Sequence, residues 1–520
     1  MRIVIAALAA TAAVGAGLAL AQSTPDRAHA TRDERPNVIV ILADDLGYGD
    51  TGVYGSTIIR TPNIDALAAR GVRFTDGYVT HPVCAPSRAA LVTGRYQQRF
   101  GFEFNPVGRD EESGVALREI TIAQLMKQAG YRTGMIGKWH LGQAKGYYPT
   151  DRGFDEYFGM AAGGSTYIVN PQPGDEFYTT PESEASVTID RSARPPVAAG
   201  PGAQRQRLIA ARRRFPITRN GAVVEVPNYL TDAFTDEATQ FIDRNADRPF
   251  FLYLAYNAPH TPLQVTKKYV DRYRDIADPG KRVYAAMVSA LDDGVGRVVA
   301  QLKARGLDRR TLIVFLSDNG CAGYLRGACS NAPLSGAKAV PLEGGVRVPF
   351  IMAMPGTIAA GRVDRRVVSS LDLLPTAVKL ARGAMPRDRR YDGIDLMPLL
   401  ATARRPPDRT LYWRAGEGYA IRKGDMKLWS APLAPPAAEV GYVEQELPDA
   451  TGDLHGRHTM LYNLKDDPGE TRNLAVRRSP ERKALERDAA RWSATLGRPA
   501  WPSRRVIYYR HDGKVLDVRN

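Results

Sequence analysis

The sequence predicts an α/β fold with a large, mainly parallel or mixed sheet flanked by helices. Three observations carry that expectation. Apolar runs of strand length recur, stretches with helical spacing separate them, and several runs end in polar residues. Residues 38–42 (VIVIL), 250–255 (FFLYLA) and 311–316 (TLIVFL) are continuous, as strands buried on both faces must be. Residues 349–353 (PFIMA) form another run and 133–137 (TGMIG) a weaker one. Between them, residues 64–70 are predicted helical with Asn63 as cap, and 122–129 with Thr121 as cap. Residues 235–245 and 284–304 also space their apolar positions helically, and Gly130 and Gly306 are plausible stops. Residues 163–228 break the rhythm with Pro, Gly and the basic run 211–214 (ARRR). That stretch reads either as a loop bordering a ligand site or as a solvated insertion. After residue 401 the pattern changes to short strands at 412–414, 418–422 and 426–429, then the run 461–464 (LYNL) and a helical stretch at 480–496. The expected organisation is therefore an export signal at 1–21, a main domain at 36–400 and a small α+β subdomain at 401–520.

A chain of 520 residues with 44% hydrophobic and 24% charged residues suits a globular protein, not a fibre or a disordered chain. The N-terminus has Arg2, an apolar run over 3–20 and the small-x-small pattern Ala19-Leu20-Ala21. It reads as a cleaved signal, with an exported, periplasmic or secreted product starting at Gln22. No later stretch is apolar enough to span a bilayer, so no membrane association is expected after cleavage. The formal charge is +15, from 71 Lys and Arg against 56 Asp and Glu. It suggests an anionic partner or a solvated basic surface. No nucleic-acid motif is present, so nucleic acid is not an expected partner. Of three cysteines, Cys321 and Cys329 are separable from the chemistry below, either as a bridge or as two thiols.

Ligands of open α/β sheets bind beyond the carboxyl ends of the strands. Asp44-Asp45 follows the first run and Ser317-Asp318-Asn319-Gly320 follows the run at 311–316. Three carboxylates and an amide suit a hard divalent cation, calcium better than magnesium because most donors are protein oxygens. Lys138 and His140 alternate with Trp139, so an extended backbone would aim both to one side. His260 lies in the Pro-bounded loop NAPHTP after the run at 250–255 and has the chemistry of a general acid. Cys84 opens CAPSRAALVTGR; Pro86 suits a first helical turn and Arg88 lies one turn on.

The run from Cys84 resembles the signature of the type I sulfatases of the alkaline phosphatase superfamily, and Cys84, Pro86 and Arg88 fit the Cys-x-Pro-x-Arg element read by that family's maturation enzyme. The hexapeptide 137–142 (GKWHLG), Gly336-Ala337-Lys338 and Glu343-Gly344-Gly345-Val346-Arg347-Val348-Pro349 resemble further sulfatase elements. The resemblance implies an alkaline phosphatase-like sheet, a small C-terminal subdomain with a short antiparallel sheet and a helix, and an arylsulfatase-like hydrolase of aryl or carbohydrate sulfate esters. It implies oxidation of Cys84 to formylglycine, whose hydrated aldehyde attacks sulfur. It implies a metal held by Asp44, Asp45, Asp318, Asn319 and the modified Cys84. Arg88, Lys138, His140, His260 and Lys338 would be catalytic, with Glu343 and Arg347 an ion pair supporting their loop. The expected partners are a sulfate ester, among them a sulfated saccharide, and the formylglycine-generating enzyme. Two alternatives remain at this point: a phosphatase or phosphodiesterase of the same superfamily, and a non-enzymatic binder of sulfated glycans that keeps Cys84 as a thiol.

Overall fold

Five parallel strands carry the molecule's main sheet: Thr311–Ser317, Asn37–Ala43, Phe250–Ala255, Arg132–Lys138 and Glu156–Met160, in that spatial order. We describe it from a computed structural model covering residues 34–106, 113–179, 201–401, 409–436, 438, 440–444, 455–503 and 505–519. The expected export signal lies outside the described residues. Phe350–Ala353 joins one edge antiparallel, followed by Val72–Phe74 and Arg362–Asp364. The short hairpin Thr218–Arg219 and Ala222–Val223 closes the other edge, giving ten strands in a mixed sheet.

Both faces of the sheet are covered, which explains the unbroken apolar runs. Side chains alternate along the first strand. Ile39, Ile41 and Ala43 pack with helices Pro62–Ala69, Leu230–Arg244 and Pro279–Ala304. Val38, Val40 and Leu42 pack with helices Cys84–Thr93, Ile122–Gln128 and Leu373–Leu380. Each such fully buried aliphatic side chain contributes about 1.5–3 kcal/mol.

The helix at 122–128 has the expected Thr121 cap, with a reciprocal bond from Gln124. Other starts differ from expectation for identifiable reasons. The long helix begins at Pro279, because Asp278 accepts from the Lys281 amide and Pro279 suits the first turn. Asn63 is not a cap; helix Pro62–Ala69 has already begun, and the Asn63 amides bond Asp292 instead. Residues 163–228 contain helix Pro201–Arg214 and strand Glu176–Tyr178 paired to Leu263–Val265, so this segment is not simply loop.

Beyond residue 409, strands Thr410–Ala415, Gly418–Lys423, Met426–Pro432 and Arg457–Asn463 form an antiparallel sheet. Helix Ser479–Ser493 covers it through Leu485 and Ala489, and a second sheet pairs Gly441–Glu444, Arg505–His511 and Lys514–Arg519. Trp413, Trp429 and Met460 share a core with Tyr78, Val83 and Val346, and Glu34–Asn520 groups as one unit. No helix among the described residues is long and apolar enough to cross a membrane.

A buried ionic cluster ties the late sheet to the main one. Lys427 Nζ lies 2.8 Å from Glu343 Oε1 and 3.1 Å from Glu470 Oε1, with all three side chains buried. Glu343 also pairs with Arg347 at 3.3 Å, as anticipated. Burial raises the Glu343 carboxyl, but Lys427 and Arg347 outweigh it and hold it at about 2. Burial, and then repulsion from Glu343, pushes Glu470 up to about 7 despite Lys427. Removing the shared ammonium leaves buried Glu470 without a cation and Glu343 with Arg347 alone. Lys427→Met is therefore expected to cost about 3–5 kcal/mol in urea unfolding. A loss below about 1 kcal/mol would show that the cluster does not join the sheets.

Candidate active site

Four of the parallel strands deliver polar side chains to one place at their carboxyl ends. Asp44 and Asp45 follow Asn37–Ala43, Asp318 and Asn319 follow Thr311–Ser317, Lys138 ends Arg132–Lys138, and His260 follows Phe250–Ala255. Backbone bonds fix the junctions: the Asp44 amide donates to the Ala258 carbonyl at 3.0 Å and the Asp318 amide to the Ala43 carbonyl at 3.1 Å. Asp45 has φ of 63°, a left-handed conformation that Asp tolerates better than most residues. Its amide donates to Asp318 Oδ1 at 3.2 Å.

Cys84 is the first residue of a ten-residue helix that is buried throughout. The preceding Val83 offers no capping side chain, while Asn105 Oδ1 accepts from the Ala85 amide at 3.3 Å. The helix dipole leaves this end favourable for negative charge. Cys84 Sγ lies 3.5 Å from Asp44 Oδ1 and 3.8 Å from Asp45 Oδ1. Burial pushes the thiol well above its ordinary range, so it stays protonated and donates.

Cations surround these acids. Lys138 Nζ donates to Asp44 Oδ2 at 2.6 Å, and Lys338 Nζ to Asp45 Oδ2 at 2.7 Å. Arg88 is fully buried; Nε donates to Asp318 Oδ2 and Nη1 to the Lys138 carbonyl, both at 2.8 Å. Burial raises the Asp44 carboxyl, but Lys138, His260 and Arg88 outweigh it and hold it well below the carboxylate range. Asp45 is also lowered, burial being outweighed chiefly by Lys338. Asp318 moves the other way, to about 6, through burial and repulsion from Asp44.

Both histidines are held neutral. His260 Nδ1 lies 2.6 Å from the Thr261 carbonyl, so Nδ1 carries the proton and Nε2 faces Asp45 Oδ2 at 3.6 Å. Burial, then the Lys338 charge, lowers it to about 4. His140 is pushed well below the imidazole range by burial, then by Lys138 and Arg88, and its buried Nδ1 lacks a hydrogen bond. The strand stops at Lys138 and His140 adopts φ of 61°, so simple extended alternation does not orient this pair. A Cβ at Gly163 would lie 2.6 Å from His140 Nε2, so only glycine fits against the ring there.

The oxygen-rich set fits a divalent cation. One ligand atom each from Asp44, Asp45, Cys84 and His260 lies within 4.8 Å of the others. Asp318 is not in that close group, being held by Arg88 and the Asp45 amide. Asn319 Nδ2 donates to Asp45 Oδ1 at 2.7 Å, while its buried Oδ1 has no hydrogen-bond partner. Leaving such an oxygen unpaired costs about 1–3 kcal/mol, which a cation would offset.

Three contributors were not singled out from sequence. Tyr324 OH donates to Asp45 Oδ2 at 3.4 Å from the loop closed by the Cys321–Cys329 disulfide. Tyr167 OH bonds the carbonyls of Asn257 and His260, the latter at 2.8 Å. Gly163 sits against His140. Only the unmatched Cys321 and Cys329 hinted at the first, and no motif marked the others.

Comparison with known proteins agrees with this geometry. The sulfatase family model matches residues 36–384. Arylsulfatase G of Homo sapiens is 33% identical over 90% of this chain and 86% of its own. N-acetylgalactosamine-6-sulfatase of Mus musculus is 32% identical, covering 87% of this chain and 84% of its own. The solved structure of Ps i-CgsB in complex with k-i-k-neocarrahexaose is 34% identical, with a TM-score of 0.75 over 90% of this chain and 94% of that one. A phosphonate monoester hydrolase of Agrobacterium radiobacter shares the fold at 20% identity and a TM-score of 0.57, covering 88% of this chain and 96% of that one. The matched family model and the near full-length sulfatase relatives make this chain a member of the sulfatase family, a hydrolase of sulfate esters.

Proposed function

We propose that this enzyme cleaves sulfate esters carried on saccharides, using a formylglycine made from Cys84 and a calcium ion held by Asp44, Asp45, Asp318 and Asn319. The observation that carries the reading is the position of Cys84 Sγ, 3.5 Å from Asp44 and 3.8 Å from Asp45 at a helix start. The saccharide assignment is supported by the printed names of two relatives, the N-acetylgalactosamine-6-sulfatase and the neocarrahexaose complex. Export to the periplasm or beyond is supported by the apolar N-terminal run and by a disulfide suited to an oxidising compartment. The maturation enzyme is then a required partner.

When present, the aldehyde supplies an oxygen nucleophile through its hydrate and the cation polarises oxygen as a Lewis acid. Calcium is preferred to magnesium because protein oxygens dominate the donor set. The chain's own residues do the rest. Lys138 and Lys338 bind the sulfuryl oxygens and offset their charge in the transition state. Arg88 holds Asp318 and the Lys138 carbonyl, which fixes both beside residue 84. The Thr261 carbonyl holds the His260 Nδ1–H, which leaves Nε2 free to take up a proton and pass it to the leaving alcohol. Neutral His140 accepts a proton from the residue 84 oxygen.

Natively matured protein should show an aldehyde in place of the thiol in the mass spectrum of the residue 84 peptide. Cys84→Ala should lower kcat by about 10³-fold or more. Retained activity in that variant would refute the nucleophile. Calcium at about 100 times its Kd should add about 2.7 kcal/mol to stability in thermal unfolding, and Asp45→Asn should lose most of that gain. Equal stabilisation of both proteins would place the ion elsewhere. His260→Gln should lower kcat about 10²–10⁴-fold on a sugar sulfate, and far less on 4-nitrophenyl sulfate, whose leaving group needs little protonation. Equal losses on both esters would remove His260 as the acid.

A further inference from the structure

Helix Pro201–Arg214 (PGAQRQRLIAARRR) holds five arginines and no acidic residue. Leu208 is its buried contact, while Arg205 and Arg213 are exposed. These two are eight residues apart, so they lie about 12 Å apart along the axis and about 80° apart around it. The helix is seated on the wall of the catalytic pocket. Arg212 Nη2 donates to the Thr166 carbonyl at 2.6 Å, Ser165 Oγ to the Phe215 carbonyl at 2.9 Å, and Arg205 Nε to Asn170 Oδ1 at 3.2 Å. The wall itself touches both histidines, through Gly163 against His140 and Tyr167 OH on the His260 carbonyl. The Arg212 guanidinium is mostly buried, and its Nε–H has no hydrogen-bond partner. A pair of exposed arginines is thus built onto the segment that borders the reacting centre.

We propose that this helix is a charged rim that binds further anionic groups of the substrate chain, so that the preferred substrate is a multiply charged anionic polysaccharide rather than a singly sulfated small ester. The proposal rests on the saccharide reading above and deepens it. The glycan lies with its scissile sulfate at residue 84 and neighbouring sulfates or carboxylates along Arg205 and Arg213. Binding there is electrostatic, weakened by salt, and expressed in affinity more than in kcat.

Labelled dextran sulfate tests it, by anisotropy and as an inhibitor of 4-nitrophenyl sulfate hydrolysis. The wild type should bind it competitively with the ester. Arg205→Gln/Arg213→Gln should weaken polymer binding about tenfold, more than any change in KM for the small ester. Arg205→Lys/Arg213→Lys should retain most of the affinity. Lys483→Gln/Arg487→Gln, the same charge change on the exposed face of helix Ser479–Ser493, should bind as the wild type does. Raising salt from about 50 to about 300 mM should weaken the wild type more than the Arg205→Gln/Arg213→Gln protein. Equal binding by that double variant, non-competitive inhibition, or an equal loss in the Lys483/Arg487 control would overturn the rim. A wild type that hydrolyses no sulfated saccharide in a linkage screen would instead overturn the reading beneath it.

Discussion

The structure depends on a balanced knot of charge at the carboxyl ends of adjacent strands. Asp44, Asp45 and Asp318 face Lys138, Lys338 and Arg88, all of them nearly excluded from water. At an effective dielectric near 20, each contact pair is worth on the order of 4 kcal/mol, while desolvating each ion costs several kcal/mol. The two nearly cancel, so the knot is a poor device for stability. Its use is chemical. The ammonium groups hold the same carboxylate oxygens that suit a hard cation, and they stand ready to meet the oxygens of an anionic ester. The sheet brings Asp44, Asp45, Asp318 and Lys138 together from strands distant in sequence, while helix Cys84–Thr93 adds Arg88 and a loop adds Lys338.

The reacting residue is positioned by a different element. Helix Cys84–Thr93 carries Cys84 at its first residue, where the helix dipole favours developing negative charge. Arg88, one turn on, is a structural bridge as much as a catalytic group, since it joins Asp318 to the Lys138 carbonyl. Glu343 and Lys427 extend the same logic outward, tying the late antiparallel sheet to the stretch that follows Lys338. Residues far down the chain therefore help to hold the pocket's cationic side.

Much of this was legible from local pattern. Buried strands announced themselves because both faces are covered, and Asp44, Asp45, Asp318 and Asn319 followed from the strand-end rule. Cys84, Arg88 and Lys338 needed the family resemblance, because a lone Cys or Lys has no pattern of its own. The illegible parts share a physical cause: they are set by tertiary contact. The left-handed turn at His140, the Tyr167 bonds to the His260 loop and the Tyr324 contact with Asp45 leave no periodic trace. Helix Pro201–Arg214 was hidden because Leu208 is its chief buried apolar residue, so it lacks an apolar stripe. The final hairpin does carry a signal in the sequence, Asp512-Gly513 with φ of 46° and 71° between alternating strands.

The most direct measurement is a crystal structure of natively matured enzyme grown with calcium and a slowly cleaved sulfate ester. The account predicts an oxygen-bearing side chain at residue 84, with a cation about 2.3–2.6 Å from oxygens of Asp44, Asp45, Asp318 and Asn319, and both lysine ammoniums turned onto the sulfate. A thiol at residue 84 with the lysines still bound to the carboxylates, or an ion seated away from these strand ends, would contradict it.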